Sequence, residues 1–259
     1  MSKPTALVIG ASRGIGQTLV QQLTEAGYET YATVRFKTGS TEQNARIFEA
    51  DLKDASSLSS AAQQLEASVH GLDLLVICGA TAGDASYLTM DPERALEFFD
   101  INCVGTIRAV QAFLPALRKQ APSDGKAPHK TIAILTSLAS NAGMRAENAL
   151  KQPVEARMPI STGPYGASKA ALNVIGIGLY SELEPEGFKV LHFHPGLVNT
   201  DMAQPMIARL SSLDQDKVPW TVIERGDSAK GIVQVIQTAV QASGPSLKYV
   251  DWTGKDLPW

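Results

Sequence analysis

The sequence predicts an α/β fold in a single domain: a doubly wound parallel sheet of about seven strands, covered by helices on both faces. Three observations carry this. Short apolar runs alternate along the chain with stretches of helical periodicity, at the spacing of βαβ units joined by right-handed crossovers. The clearest strand candidates are apolar throughout, as strands buried on both faces are. No internal repeat, low-complexity tract or linker divides the 259 residues, so one domain spans 1–259.

The elements follow in order. "ALVI" (6–9) is a continuous apolar run ended by Gly10. From Gly14 a helical pattern puts Ile15, Leu19 and Leu23 on one face and stops at Gly27, a natural C-terminal glycine. "YETYATV" (28–34) alternates like a strand, and "ARIFEA" (45–50) reads as another. "DASSLSSAAQQLEASV" is amphipathic, and "LDLLVICGA" (72–80) is a buried strand. One long helix is expected from Pro92 to Lys119, then a polar loop, "APSDGKAPHK" (121–130), then the strand "TIAILTS". A helix over 165–184, the strand "FKVLHFH" (188–194) stopped by Pro195-Gly196, a helix near 227–242 and the strand "SLKYV" complete the chain.

Composition excludes several classes. A net charge of −3 without any Lys/Arg block argues against a nucleic-acid or anionic-membrane partner. The opening run "TALVIG" is too short for a signal core or a membrane span, which makes a cytoplasmic address the expectation. Cys78 and Cys103 lie in apolar stretches with no CxxC spacing and read as reduced, buried thiols. "HFH" (192–194) would present two histidines on one strand face, but no third ligand stands at metal spacing, and no metal is expected.

"GASRGIG" (10–16) sets glycines at G-x-x-x-G-x-G between the first strand and the first helix. Gly10 permits a tight turn, Gly14 lets the backbone approach a pyrophosphate, and Gly16 lets helix and strand pack closely. The helix N-terminus then offers unpaired N–H groups to phosphates. An ordinary strand-to-helix turn carries glycines too, so the flanking elements give the motif its weight. After the second strand "ATVRF" has no acid to hold a ribose diol; it has Arg35, and Arg13 stands in the glycine loop. Two guanidiniums suit a 2′-phosphate and favour NADP(H), although Arg35 also fits a solvated strand end. Asp51 is placed to accept from an adenine amino group, or is simply an acid at a helix start.

"YGASK" (165–169) places Tyr165 and Lys169 at i and i+4 on one helical face, among small residues that leave room for a ligand. A free tyrosine titrates near ~10. A cation close by favours phenolate and brings the group toward the range of an acid/base catalyst. On a solvated helix the same spacing arises without function.

The glycine spacing, the Y-x-x-x-K, a serine after the preceding strand and a Pro-Gly after the following one occur in the order seen in the short-chain dehydrogenase/reductase family. The chain resembles that family over essentially its whole length. "YVDWTGKDLPW" with "HPGLVNTDM" is similar to its C-factor-like and sniffer-like carbonyl reductase subgroup. The resemblance implies a Rossmann-like fold, hydride transfer with NADP(H), a small carbonyl or alcohol substrate, and a homodimer or homotetramer. It makes Tyr165 the acid/base and Lys169 the group that binds the nicotinamide ribose and lowers the tyrosine pKa. Ser137 in "LTSLAS" would bind the substrate oxygen, and Asn102 in "INCVG" would hold a relay water. The cofactor would touch Gly10, Ser12, Arg13, Gly14, Ile15 and Gly16, then Arg35, Asp51 and Leu52, then Cys78, Gly79 and Ala80. Asn102, Tyr165 and Lys169 also face it, and Pro195, Gly196, Val198 and Thr200 cradle the nicotinamide.

Two departures stand out. Where the family has N-N-A-G, this chain has "ICGA" (77–80), so Cys78 replaces an asparagine that ties strand ends together. The stretch between Ser137 and Tyr165 is enlarged, a loop over about 138–164 expected to shape the substrate pocket. Residues from about 199 to 226 read either as a substrate lid or as an irregular surface excursion. These features leave open a second reading, a nucleotide-binding regulatory protein of the same fold with little turnover.

Overall fold

A computed structural model describes residues 3–36, 45–83, 86–119, 130–151, 163–211 and 221–259. The first apolar run forms β1 (Thr5–Ile9), buried at every residue. Its side chains alternate between two cores. Leu7 and Ile9 join one hydrophobic cluster, Ala6 and Val8 the other. Helix α1 (Gly14–Glu25) buries Leu19, Val20 and Leu23. It ends as expected at Gly27, whose φ of 94° lies in the left-handed region. There the Gly27 and Tyr28 N–H groups donate back to Thr24 and Leu23.

The chain continues through β2 (Glu29–Val34), β3 (Arg46–Glu49), α2 (Ala55–Glu66) and β4 (Leu74–Ile77). The Asp54 carboxylate caps α2 by accepting from Ser56 N–H at 2.8 Å. The predicted long helix is α3 (Pro92–Phe99), one π turn (Asp100–Val104) and α4 (Gly105–Arg118) in unbroken succession. Then come β5 (Thr131–Leu135), a 3₁₀ turn (Leu138–Ser140), α5 (Ala142–Lys151), α6 (Pro164–Leu183) and β6 (Lys189–His194). The last elements are β7 (Leu197–Val198), α7 (Gln204–Ser211), β8 (Val222–Ile223), α8 (Arg225–Gln241) and β9 (Ser246–Asp251).

Seven strands form one parallel sheet in the order β3-β2-β1-β4-β5-β6-β9. Helices α2, α4 and α6 cover one face, α1 and α8 the other. The winding direction reverses between β1 and β4, and the crevice at such a reversal is where this architecture binds ligands. Two chain segments are less irregular than expected. The first part of 138–164 is helical, because "AENALK" holds strong helix formers and a Glu147–Lys151 pair at 2.7 Å; residues 152–162 lie outside the described part. Within 199–226, α7 is a helix and β8 pairs with β7, while 212–220, with Pro219 and Trp220, lie outside it. So does most of the polar loop at 121–130. Cys103 is buried as expected, but Cys78 is only half-buried, because it follows the last residue of β4 at the C-terminal end of the sheet. Among the described residues no helix is long and apolar enough to cross a membrane.

Candidate active site

The glycine turn sits at the C-terminal end of β1. Gly10 has φ of 83°, and a Cβ there would lie 2.5 Å from the Gly79 Cα. Gly16 is as constrained: a Cβ would meet the Gly10 carbonyl oxygen at 2.3 Å. The ends of β1 and β4 are thus in backbone contact, and both Cys78 and Gly79 donate their N–H to the Ile9 carbonyl at 3.0 Å. These bonds tie the strand ends without the family's asparagine. Asn102 adds a second tie. Its Oδ1 accepts from Thr81 N–H at 2.9 Å, and its Nδ2 donates to the Thr81 carbonyl at 3.0 Å and to the Ser168 hydroxyl at 2.9 Å. Both amide protons are committed, and one Oδ1 lone pair remains.

Helix α1 begins with no side-chain cap and no acid in its first turn, so its leading N–H groups face outward from Gly14. Gly14 has φ of 60° and lies near Thr200, whose methyl would be 3.6 Å from a Cβ there. Arg13 pairs with Asp201 at 3.3 Å across this opening, both side chains well exposed. Such a pair is worth little. Arg35 is exposed just past β2, and Asp51 is half-buried, its Oδ1 accepting from Lys53 N–H at 2.9 Å. Of the residues named from sequence, Gly10, Ser12, Arg13, Gly14, Gly16, Arg35, Asp51, Leu52, Cys78, Gly79, Ala80, Asn102 and Lys169 are absent from the walls of the cleft that holds Tyr165.

That cleft has a volume of about 250 Å³. Ser137, Tyr165, Ile15, Pro195, Gly196, Val198 and Thr200, all named from sequence, line it together. Sequence reasoning missed His194 on its wall, whereas Leu138 and Met144 belong to the 138–164 segment expected to shape the pocket. His194 had a visible signal, standing immediately before Pro195-Gly196. Its Nδ1 accepts from Leu138 N–H at 3.2 Å, and burial lowers its pKa to about 4, so the ring is neutral. Among the described residues no cluster of His, Cys, Asp or Glu is arranged to hold a metal.

Lys169 stands behind Tyr165. It is 3% exposed, with Nζ donating to the Leu135 carbonyl at 2.8 Å and lying 5.9 Å from the Tyr165 ring centroid. Burial lowers its pKa from 10.5 to about 8, so at neutral pH it keeps its charge. The expected lowering of the Tyr165 pKa by Lys169 is not found. Burial raises that pKa, opposed by the hydrogen bond with Ser137, and the lysine's cation is not among the groups that lower it. Tyr165 is therefore a protonated donor at neutral pH. Ser137 Oγ accepts from Ala139 N–H at 3.2 Å and shares a hydrogen bond with the Tyr165 hydroxyl at the cleft.

Residues 10–236 match the family described as enoyl-(acyl carrier protein) reductase. An uncharacterized oxidoreductase of Saccharomyces cerevisiae is 28% identical over 252 residues, 91% of this chain and 91% of its own. Solved structures share the fold at low identity. The NADPH-bound carbonyl reductase from chicken fatty liver matches with a TM-score of 0.80 at 23% identity, over 100% of this chain and 95% of that one. The carbonyl reductase Sniffer of D. melanogaster matches at 0.77 and 21%, over 100% of each chain. A 3-oxoacyl-[acyl-carrier protein] reductase from Brucella melitensis in complex with NAD matches at 0.74 and 22%, over 98% of this chain and 97% of that one.

Proposed function

Because the chain belongs to the short-chain dehydrogenase/reductase family of oxidoreductases, we propose that it is an NADP(H)-dependent carbonyl reductase acting on an aldehyde or ketone. The observation that carries this reading is one cleft lined by two hydroxyl donors, Ser137 and Tyr165, with a buried, charged Lys169 behind them.

The residues present fit a dinucleotide. An uncapped helix start and glycines with no Cβ to block the approach suit a pyrophosphate at Gly10–Gly16. Arg13 and Arg35 would hold a 2′-phosphate, Asp51 and Leu52 the adenine side, and Cys78, Gly79 and Ala80 the middle. Pro195, Gly196, Val198 and Thr200 would hold the nicotinamide end. NADPH in the chicken-liver reductase supports this choice, and NAD in the Brucella enzyme shows that the fold accepts either. When bound, the nicotinamide supplies the hydride.

The chain's own groups handle charge and protons. Ser137 donates a hydrogen bond to the carbonyl oxygen, where negative charge develops. Tyr165, protonated by its environment, donates the proton that completes the alcohol. Lys169, charged and buried behind the phenol, would hold the nicotinamide ribose. Asn102 fixes Thr81 and Ser168 around them. The cleft's apolar wall, including Met144, Leu197 and Met206, suits an apolar carbonyl compound. The π turn before α4 exposes Val104, α6 exposes Val174, and these two helices provide the faces for a homo-oligomer; a cytoplasmic address belongs to the same reading.

Following NADPH and NADH consumption at 340 nm across aldehydes, ketones and quinones tests the proposal. NADPH-dependent reduction of apolar carbonyls is expected. Tight NADPH binding without turnover of any compound would favour the regulatory reading.

A further inference from the structure

A buried hydrogen-bond chain runs from the helix that carries Tyr165 and Lys169 to the backbone of Ser137, and every donor in it can be assigned. The Ser137 carbonyl can only accept, so Tyr249 spends its single proton on it, at 2.9 Å. The 3.1 Å contact between Tyr249 and Ser140 must then run from the Ser140 hydroxyl to the Tyr249 oxygen. Ser140 in turn accepts from Asn173 Nδ2 at 2.9 Å. The Asn173 Oδ1 accepts from the Thr136 hydroxyl at 2.7 Å and faces His192 Nδ1 at 3.3 Å. His192 is thus protonated on Nδ1, and its bare Nε2 is the buried ring nitrogen without a partner. Ser140, Asn173, His192 and Tyr249 are each at most 4% exposed. Trp259 shields the chain, its ring 5.4 Å from Tyr249 and 5.1 Å from His192.

Two donors therefore converge on the Ser137 carbonyl, the Tyr249 hydroxyl and the Ser140 N–H at 2.9 Å. They fix the peptide plane after Ser137, hence its ψ and the direction of its side chain. Asn173 stands one helical turn beyond Lys169, so the same chain ties that plane to the helix of the acid/base pair. We propose that Tyr249, acting through Ser140 and Asn173, is a positioning residue that aims the Ser137 hydroxyl at the oxygen of the substrate. The proposal rests on the reading of Ser137 as the substrate-oxygen donor.

A double-mutant cycle on kcat tests it, with NADPH and 4-nitrobenzaldehyde or 9,10-phenanthrenequinone as probes. Tyr249→Phe is expected to lower kcat about tenfold with KM for NADPH unchanged, since small misplacements are expensive. In a Ser137→Ala background the same substitution is expected to change kcat less than about twofold, because the group it aims is gone. Ser140→Ala leaves the Tyr249–Ser137 bond in place and is expected to cost less, about threefold, and again nothing in the Ser137→Ala background. If Tyr249→Phe does not fold, the Ser140→Ala cycle decides alone. Wild-type kcat in Tyr249→Phe, or an undiminished effect without the serine hydroxyl, overturns the positioning role and leaves the proposed function standing. Ser137→Ala with wild-type kcat overturns the serine's role and the inference with it.

Discussion

Lys169→Met is expected to stabilise the protein while disabling it. A lysine that is 3% exposed and whose pKa falls from 10.5 to about 8 loses about 3 kcal/mol of stability by remaining charged, at 1.36 kcal/mol per unit. Methionine fills similar volume without that cost, but it forfeits the bond to the Leu135 carbonyl, worth about 1 kcal/mol. The net gain at pH 7 is about 2 kcal/mol. Its pH dependence has a definite sign. Between about 8 and 10.5 the unfolded chain binds more protons at this site than the folded one, so the wild type gains stability as pH rises. The charge penalty is complete below about 8 and has shrunk to about 1 kcal/mol at pH 10. Urea midpoints without nucleotide should therefore favour Lys169→Met at pH 7 and converge by pH 10, while carbonyl reduction drops by at least about 10²-fold. A variant less stable than wild type at pH 7, or an offset unchanged at pH 10, refutes the reasoning.

Three further outcomes follow from the same geometry. For reduction, kcat/KM should fall as pH rises through about 8, where Lys169 loses the charge with which it would hold the nicotinamide ribose; a flat profile to pH 9.5 would sink this assignment. Gly10→Ala places a Cβ 2.5 Å from the Gly79 backbone at φ of 83° and should destabilise by at least about 2 kcal/mol, read as a lower melting midpoint together with weaker NADPH binding. Arg35→Glu should weaken NADPH by at least about tenfold while changing NADH little, by fluorescence titration; an equal effect on both would remove Arg35 from the phosphate site.

The parts of this molecule that are local in sequence were legible in sequence. The strand-turn-helix at 10–16 and the Tyr165–Lys169 pair depend on residues a few positions apart, so motif and periodicity capture them. The parallel sheet with helices on both faces followed from alternating elements. What escaped is long-range. Tyr249 meets the Ser137 backbone across 112 positions and Ser140 across 109, and nothing in "SLKYV" distinguishes it from another buried strand residue. Arg13 meets Asp201 across 188. The direction of the Tyr165 pKa was also hidden, because spacing places the lysine near the ring but does not say how deeply burial desolvates the phenol. Helix α5 was passed over because no residue of it is buried, which leaves no apolar stripe to read.

Replacing Tyr165 by phenylalanine removes one hydroxyl from the cleft and decides whether that hydroxyl delivers the proton. Single-turnover NADPH oxidation with a saturating aldehyde should slow by at least about 10²-fold, with NADPH affinity within about threefold of wild type. Hydride transfer at the wild-type rate in that variant would contradict the proposed chemistry.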